Sequence, residues 1–281
     1  AATGGPRTEL GAAFETAPDI AAFLKVWLSI DVLTGEPAAA FEAYYGGYRR
    51  KFPERMQRVY AGQIAEAEEL VRRLPGLLVL EVGCGLGTES LWLAMAGARV
   101  TGIDLRPDRL TAAEARRRLL QQNLGRKLDC RFRLSSLLDL PERPNFDLIW
   151  MEQTFHHLEP RARMVAKAAR LLKPGGHVVI SEANAWNAPL QAQLFLRRGL
   201  PKVKTMRGAD GREHQYGDER ITTAGAIRRA FARCGVGPVS LRYFRMFPNR
   251  AVFDRLAWFE TAPALRNAAP LFTHFNYVGV R

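Results

Sequence analysis

Short apolar runs separated by stretches of helical spacing organise the chain from Leu77 to its end. The runs at 77–82, 98–103, 130–134, 145–152, 177–182, 238–247 and 272–280 have strand length and strand-like content. Leu77 to Val82 is nearly all apolar and reads as a strand buried on both faces. Between the runs, helical spacing begins at Thr88 and recurs over Pro107–Leu120, Ala188–Arg198 and Thr222–Cys234. Upstream, Asp19–Leu33 and Met56–Leu74 carry the same spacing. Gly35-Glu36-Pro37 breaks the first and Pro75-Gly76 closes the second. Residues 1–17 read as loosely attached. The stretch 183–220 is too long and polar for a plain connection, and is expected to hold one helix and a basic loop. Residues 248–270 form a second insertion with helical spacing.

The first strand leads into Gly83-Cys84-Gly85-Leu86-Gly87-Thr88. Strand, glycine turn and helix start make the ligand-binding corner of a doubly wound α/β sheet. Glycines there let a ligand approach the backbone where a Cβ would block it. The helix N-terminus adds unpaired N–H groups. The spacing is G-x-G-x-G, which disfavours a dinucleotide pyrophosphate, and Glu81 places a carboxylate where a cation fits better than a phosphate. The second strand ends in Asp104. Its carboxylate can accept both hydroxyls of a ribose, in NAD and S-adenosylmethionine alike, or cap the helix at Pro107.

These residues resemble the first motifs of class I S-adenosylmethionine-dependent methyltransferases. Two further stretches match in family order: Phe146-Asp147-Leu148 followed by His156-His157-Leu158, and Leu172-Lys173-Pro174-Gly175-Gly176 before a strand. The match covers roughly residues 77–184 and is closest in pattern to the ubiquinone/menaquinone-biosynthesis-like branch. The resemblance implies an α/β, Rossmann-like doubly wound sheet of about seven strands with the last antiparallel. It also implies an N-terminal helical lid over residues 1–75 and a core over 76–281, with substrate-side insertions at about 183–220 and 248–270. The implied cofactor is S-adenosylmethionine, with S-adenosylhomocysteine as product. Its implied contacts are Glu81, Gly83, Cys84, Gly85, Gly87, Asp104, Leu105, Ser136, Leu137 and Met151. Ser136 stands where the family usually has a carboxylate for the adenine amino group, and a hydroxyl accepts that bond more weakly.

A sulfonium is already activated, so methyl transfer asks the protein for alignment, exclusion of water and, for a protonated nucleophile, a base. His156 and His157 are the candidate bases, with Glu152 and Glu182 near the same strand ends. Tyr44 and Tyr45, in the double-glycine stretch Phe41–Arg50, read as lid or substrate-facing residues or as a packed turn. His214 and Tyr216 lie in the first insertion, as acceptor contacts or a structural turn.

Lys and Arg number 41 against 28 acids, a formal charge of +13. A basic surface admits a nucleic-acid partner, but no aromatic-rich nucleic-acid module accompanies it. The expected acceptor is therefore a small molecule, with RNA or protein methylation as the alternative and a non-catalytic cofactor-binding subunit behind that. Cys84, Cys130 and Cys234 are scattered and odd in number, so neither zinc nor a disulfide framework is expected, and no metal. No run reaches transmembrane length and no signal peptide is evident, which together with the cysteines makes the cytoplasm the expected compartment. The sequence is silent on oligomeric state.

Overall fold

The computed structural model describes residues 6–208, 211–265 and 268–281. The chain divides into two compact units, Ala1–Ser136 and Leu137–Arg281. They supply the seven strands of a mixed, Rossmann-like sheet. The seven strands and the antiparallel close agree with the sequence reading.

In the first unit, helices α1 (Glu9–Glu15), α2 (Ile20–Leu28), α3 (Gly35–Arg50) and α4 (Glu54–Arg73) precede the alternating elements. Those are β1 (Leu78–Val82), α5 (Thr88–Met95), β2 (Arg99–Asp104), α6 (Pro107–Leu124) and β3 (Cys130–Leu134). The strands are parallel in the order β3-β2-β1, with Leu80 opposite Thr101 and Gly102 opposite Phe132. Proline in the first turn opens α6 and left-handed Gly125 closes it.

Among the described residues, the N-terminal segment is not loose. Thr8 caps α1, its hydroxyl accepting from Gly11 N at 3.0 Å. Gly11 lies so close to α6 that a Cβ would sit 2.0 Å from the carbonyl oxygen of Asn123. Phe14 is fully buried, 4.8 Å from the Trp27 ring and 5.4 Å from Phe23. Burying one such ring contributes about 1.5–3 kcal/mol, which offsets the weak helix propensity of a seven-residue segment. The double glycine Gly46-Gly47 is likewise no loop, since α3 runs through it. Phe41 and Tyr45 are buried on that helix, and their packing outweighs the helix cost of glycine, about 1 kcal/mol each.

In the second unit, β4 (Phe146–Glu152) pairs in parallel with β5 (Leu172–Ala183), and α7 (Arg161–Leu171) joins them. β9 (His274–Val280) is antiparallel to β5 and to β8 (Gly237–Phe244), giving the order β4-β5-β9-β8. Helix α9 (Ala224–Ala232) is capped by Thr223. β5 starts five residues earlier than the apolar run at 177, because the Leu-Lys-Pro-Gly-Gly turn is folded into it with a register shift opposite Phe146–Leu148. The insertion after β5 does contain the expected helix, α8 (Ala188–Arg198). Its basic loop is instead an antiparallel hairpin of β6 (Lys202–Arg207) and β7 (Glu213–Asp218). The second insertion winds as tight 3-10 turns, Ala251–Thr261 foremost, rather than an α-helix.

Candidate functional site

In the first unit, the site is the turn between β1 and α5. Gly83, Gly85 and Gly87 have φ of +75°, +51° and +71°, where side chains with a Cβ are strained. Gly83 N and Cys84 N both donate to the Ile103 carbonyl, at 2.8 and 3.0 Å. Gly85 N donates to Asp104 Oδ2 at 2.9 Å and Arg106 N to Asp104 Oδ1 at 2.9 Å. Asp104 is therefore fastened by backbone at each oxygen, and a carboxylate so held keeps lone pairs for further donors. It does not cap α6, whose N-cap is Arg106. Glu81 is 2 % exposed, and Ser90 from the first turn of α5 donates a short hydrogen bond to its Oε2. Cys84 is buried between the two acids; burial, then Glu81 and Asp104, push its thiol well above the ordinary range, so it packs as a neutral group.

Around this turn the N-terminal helices are tied in. Arg116 of α6 is fully buried and donates from Nη1 to the Leu86 carbonyl and to Thr88 Oγ1, both at 2.7 Å. Its guanidinium stands 4.5 Å from the Trp27 ring and 5.2 Å from Phe41. The Tyr45 hydroxyl bonds Thr88 Oγ1 at 2.7 Å with its ring buried, so Tyr45 faces the core and not a substrate. Tyr44, 46 % exposed, is the residue of the pair that faces the loop. A Cβ on Gly85 would lie 3.5 Å from its hydroxyl. Leu105 is half-buried after Asp104, and Ser136 is buried beyond β3.

In the second unit, Leu137 and Met151 are buried, Met151 within β4. Glu152 ends β4, and a short 3-10 turn Phe155–His157 follows. That turn brings His156 to Glu182, near the end of β5. His156 Nδ1 and Glu182 Oε1 are 2.8 Å apart, and His156 N donates to Glu182 Oε2 at 3.0 Å. Ala183 N donates to Glu182 Oε1 at 2.7 Å. Burial opposes charge on both partners, but their mutual attraction and these N–H bonds overcome it. The His156 pKa is raised, with Glu219 adding to the pull, and the Glu182 pKa is lowered. His157 Nδ1 donates to the Gly217 carbonyl at 2.8 Å, and the Tyr216 hydroxyl donates to His157 Nε2 at 2.9 Å. Burial and the neighbouring His156 push His157 down to about 4. Glu219, which the sequence reading did not single out, reaches within 3.8 Å of His156 Nε2. His214 is half-buried on the same face of β7 as Tyr216, opposite Met206.

Residues 80–180 match the family model described as methyltransferase domain. The chain is 40 % identical over 151 residues to a ubiquinone biosynthesis O-methyltransferase of Xylella fastidiosa, covering 52 % of this chain and 55 % of that protein. It is 33 % identical over 146 residues to a demethylmenaquinone methyltransferase of Tropheryma whipplei, covering 51 % and 58 %. The chain thus spans little more than half the length of these relatives. Among solved structures, it superposes on magnesium protoporphyrin IX methyltransferase of Synechocystis with bound SAH at a TM-score of 0.56. That match has 17 % identity and covers 86 % of this chain and 97 % of that one, a likeness of fold. The glycine corner falls inside the segment, residues 80–180, that matches the methyltransferase domain, and the fold agrees with that match.

Proposed function

We propose that the protein transfers the methyl group of S-adenosylmethionine to an oxygen of a small-molecule acceptor. The observation that carries this reading is the glycine turn fastened to Asp104, with Glu81 buried beside it. In this reading Asp104 accepts the ribose hydroxyls and Glu81 holds the charged amino group. Leu105, Ser136 and Leu137 border the adenine, and Gly83 to Gly87 give the donor close access to backbone. Met151 walls the donor, Tyr44 covers the glycine loop, and Glu152, His214 and Tyr216 belong to the acceptor side.

An oxygen acceptor is favoured, among oxygen, nitrogen and carbon nucleophiles, by the likeness to a ubiquinone biosynthesis O-methyltransferase. An acceptor lone pair attacks the methyl carbon in line, the carbon–sulfur bond breaks towards sulfur, and the acceptor's proton goes to Nε2 of neutral His156. Glu182 orients that ring and stabilises the imidazolium, while His157 positions it from the neighbouring residue. The glycine turn and His156 each follow the carboxyl end of a parallel strand, where open α/β sheets bind ligands.

Calorimetric titration of S-adenosylhomocysteine into the protein and into Asp104→Ala tests the donor half. Saturable binding that weakens at least tenfold in the variant is expected. Absence of binding to the folded wild-type protein would overturn the assignment.

A further inference from the structure

Three side chains of the second unit, and a fourth beside them, offer ligand atoms to one point. His156, His157 and Glu219 each bring one ligand atom, and those atoms lie within 4.8 Å of one another. The Tyr216 hydroxyl stands 2.9 Å from His157 Nε2. Around a tetrahedral zinc with bonds of about 2.1 Å, neighbouring ligand atoms are roughly 3.4 Å apart. The 3.8 Å from His156 Nε2 to Glu219 Oε2 is already close to that value.

The surroundings of the two rings match what metal-binding histidines require. Such a ring usually donates its other N–H to a carboxylate or a backbone carbonyl, which fixes the tautomer and turns the lone pair to the metal. Here His156 has Nδ1 on the Glu182 carboxylate at 2.8 Å, and His157 has Nδ1 on the Gly217 carbonyl at 2.8 Å. That leaves the Nε2 atom of each ring for other partners, with the ring centroids 3.8 Å apart. Glu219 supplies the carboxylate from a backbone at φ +50°, a conformation disfavoured for a residue with a Cβ and held where its surroundings impose it. Its other oxygen is anchored by Arg198 at 2.5 Å.

We propose that His156, His157 and Glu219, with the Tyr216 hydroxyl as fourth ligand, form a binding site for one divalent transition-metal cation. Two imidazoles and one carboxylate suit Zn²⁺ or Co²⁺ better than Mg²⁺ or Ca²⁺, which prefer all-oxygen shells. Binding displaces any proton on His156 Nε2 and breaks the Tyr216–His157 hydrogen bond; no electron is transferred. The site itself stands on this geometry alone. Its consequence rests on the function proposed above: a cation on His156 Nε2 takes the lone pair that would accept the acceptor's proton, so occupancy and turnover through that nitrogen compete.

The experiment is titration of the full chain with Co²⁺, followed by visible absorption and by calorimetry, on wild type, His157→Gln and Glu219→Gln. One equivalent is expected to bind and give visible ligand-field bands. Each substitution is expected to weaken binding at least tenfold, and Zn²⁺ to displace the Co²⁺. Both variants should keep wild-type affinity for S-adenosylhomocysteine, which separates this site from the donor site. No saturable Co²⁺ binding by folded protein, or binding equally strong in Glu219→Gln and His157→Gln, would overturn the proposal. Loss of donor binding in wild type would overturn the proposed function and leave the cation site standing.

Discussion

Replacing Gly87 by alanine isolates what the glycine turn demands of the chain. The residue has φ +71°, and a Cβ there would lie 2.4 Å from Cζ and 2.7 Å from Cε1 of Phe132. It would also sit 3.2 Å from the Ala113 Cβ. Two costs follow. Left-handed backbone costs an alanine about 1–2 kcal/mol, and overpacking a well-filled interior costs about 1–3 kcal/mol. Stiffening of the unfolded chain returns about 0.4–1 kcal/mol. The net loss is about 1–4.6 kcal/mol, or roughly 2–18 °C in Tm at about 2–4 °C per kcal/mol. Gly76 provides the control: its φ is +84°, but a Cβ there meets nothing within 4 Å. Gly76→Ala bears the backbone cost alone, about 1 kcal/mol net, a shift of roughly 2–4 °C. Thermal unfolding of both variants by scanning calorimetry measures the difference. Equal losses would refute the steric part of the reasoning, because they would mean that Phe132 yields at no cost.

Further outcomes are expected. Phe14→Ala should destabilise the protein by about 3–5 kcal/mol, as for other buried aromatic rings, in urea unfolding; a loss below about 0.5 kcal/mol would show that Glu9–Glu15 is not docked as described. The rate of methyl transfer should rise with pH through a midpoint above the ordinary histidine value of 6.5, because His156 must be neutral to accept a proton and its pKa is raised. Glu182→Gln removes the facing negative charge, so the midpoint should move down. The stability that this pairing contributes is fully present below the unfolded histidine pKa and lost as pH rises through the folded one. The variant should therefore lose most stability below pH 6.5; a pH–rate profile unmoved by the substitution would detach Glu182 from His156.

The corner formed by β1, the glycine turn and β2 was legible because its determinants are local. A buried strand is a short apolar run, a left-handed turn asks for glycine, and a strand-end carboxylate is a single letter. Cys130–Leu134 and Ala188–Arg198 were read with the bounds the structure gives. What was misread depends on partners distant in sequence. Glycine's intrinsic preference argued for a break at Gly46-Gly47, but Tyr45 bonds to Thr88, 43 residues on, and the helix continues. The weak helix Glu9–Glu15 persists because Asn123 meets Thr8 and Gly11. The hairpin of Lys202–Arg207 and Glu213–Asp218 was missed because its residues are mostly polar.

The histidine cluster shows the same division inside one site. His156 and His157 stood out as residue types in a motif, and Glu182 as an acid at a strand end. Their meeting joins positions 26 residues apart, and Tyr216 reaches His157 across 59. Glu219 carried no motif at all. Its role exists only because the β6–β7 hairpin returns the chain to the turn after β4, where the isolated bridge between Leu158 and Tyr216 sets the register. A one-residue slip in that bridge would turn Tyr216 to the other face of β7 and carry Glu219 away with it. The sequence thus names the chemistry available to this site, while the backbone pairing of an insertion decides which of those groups meet.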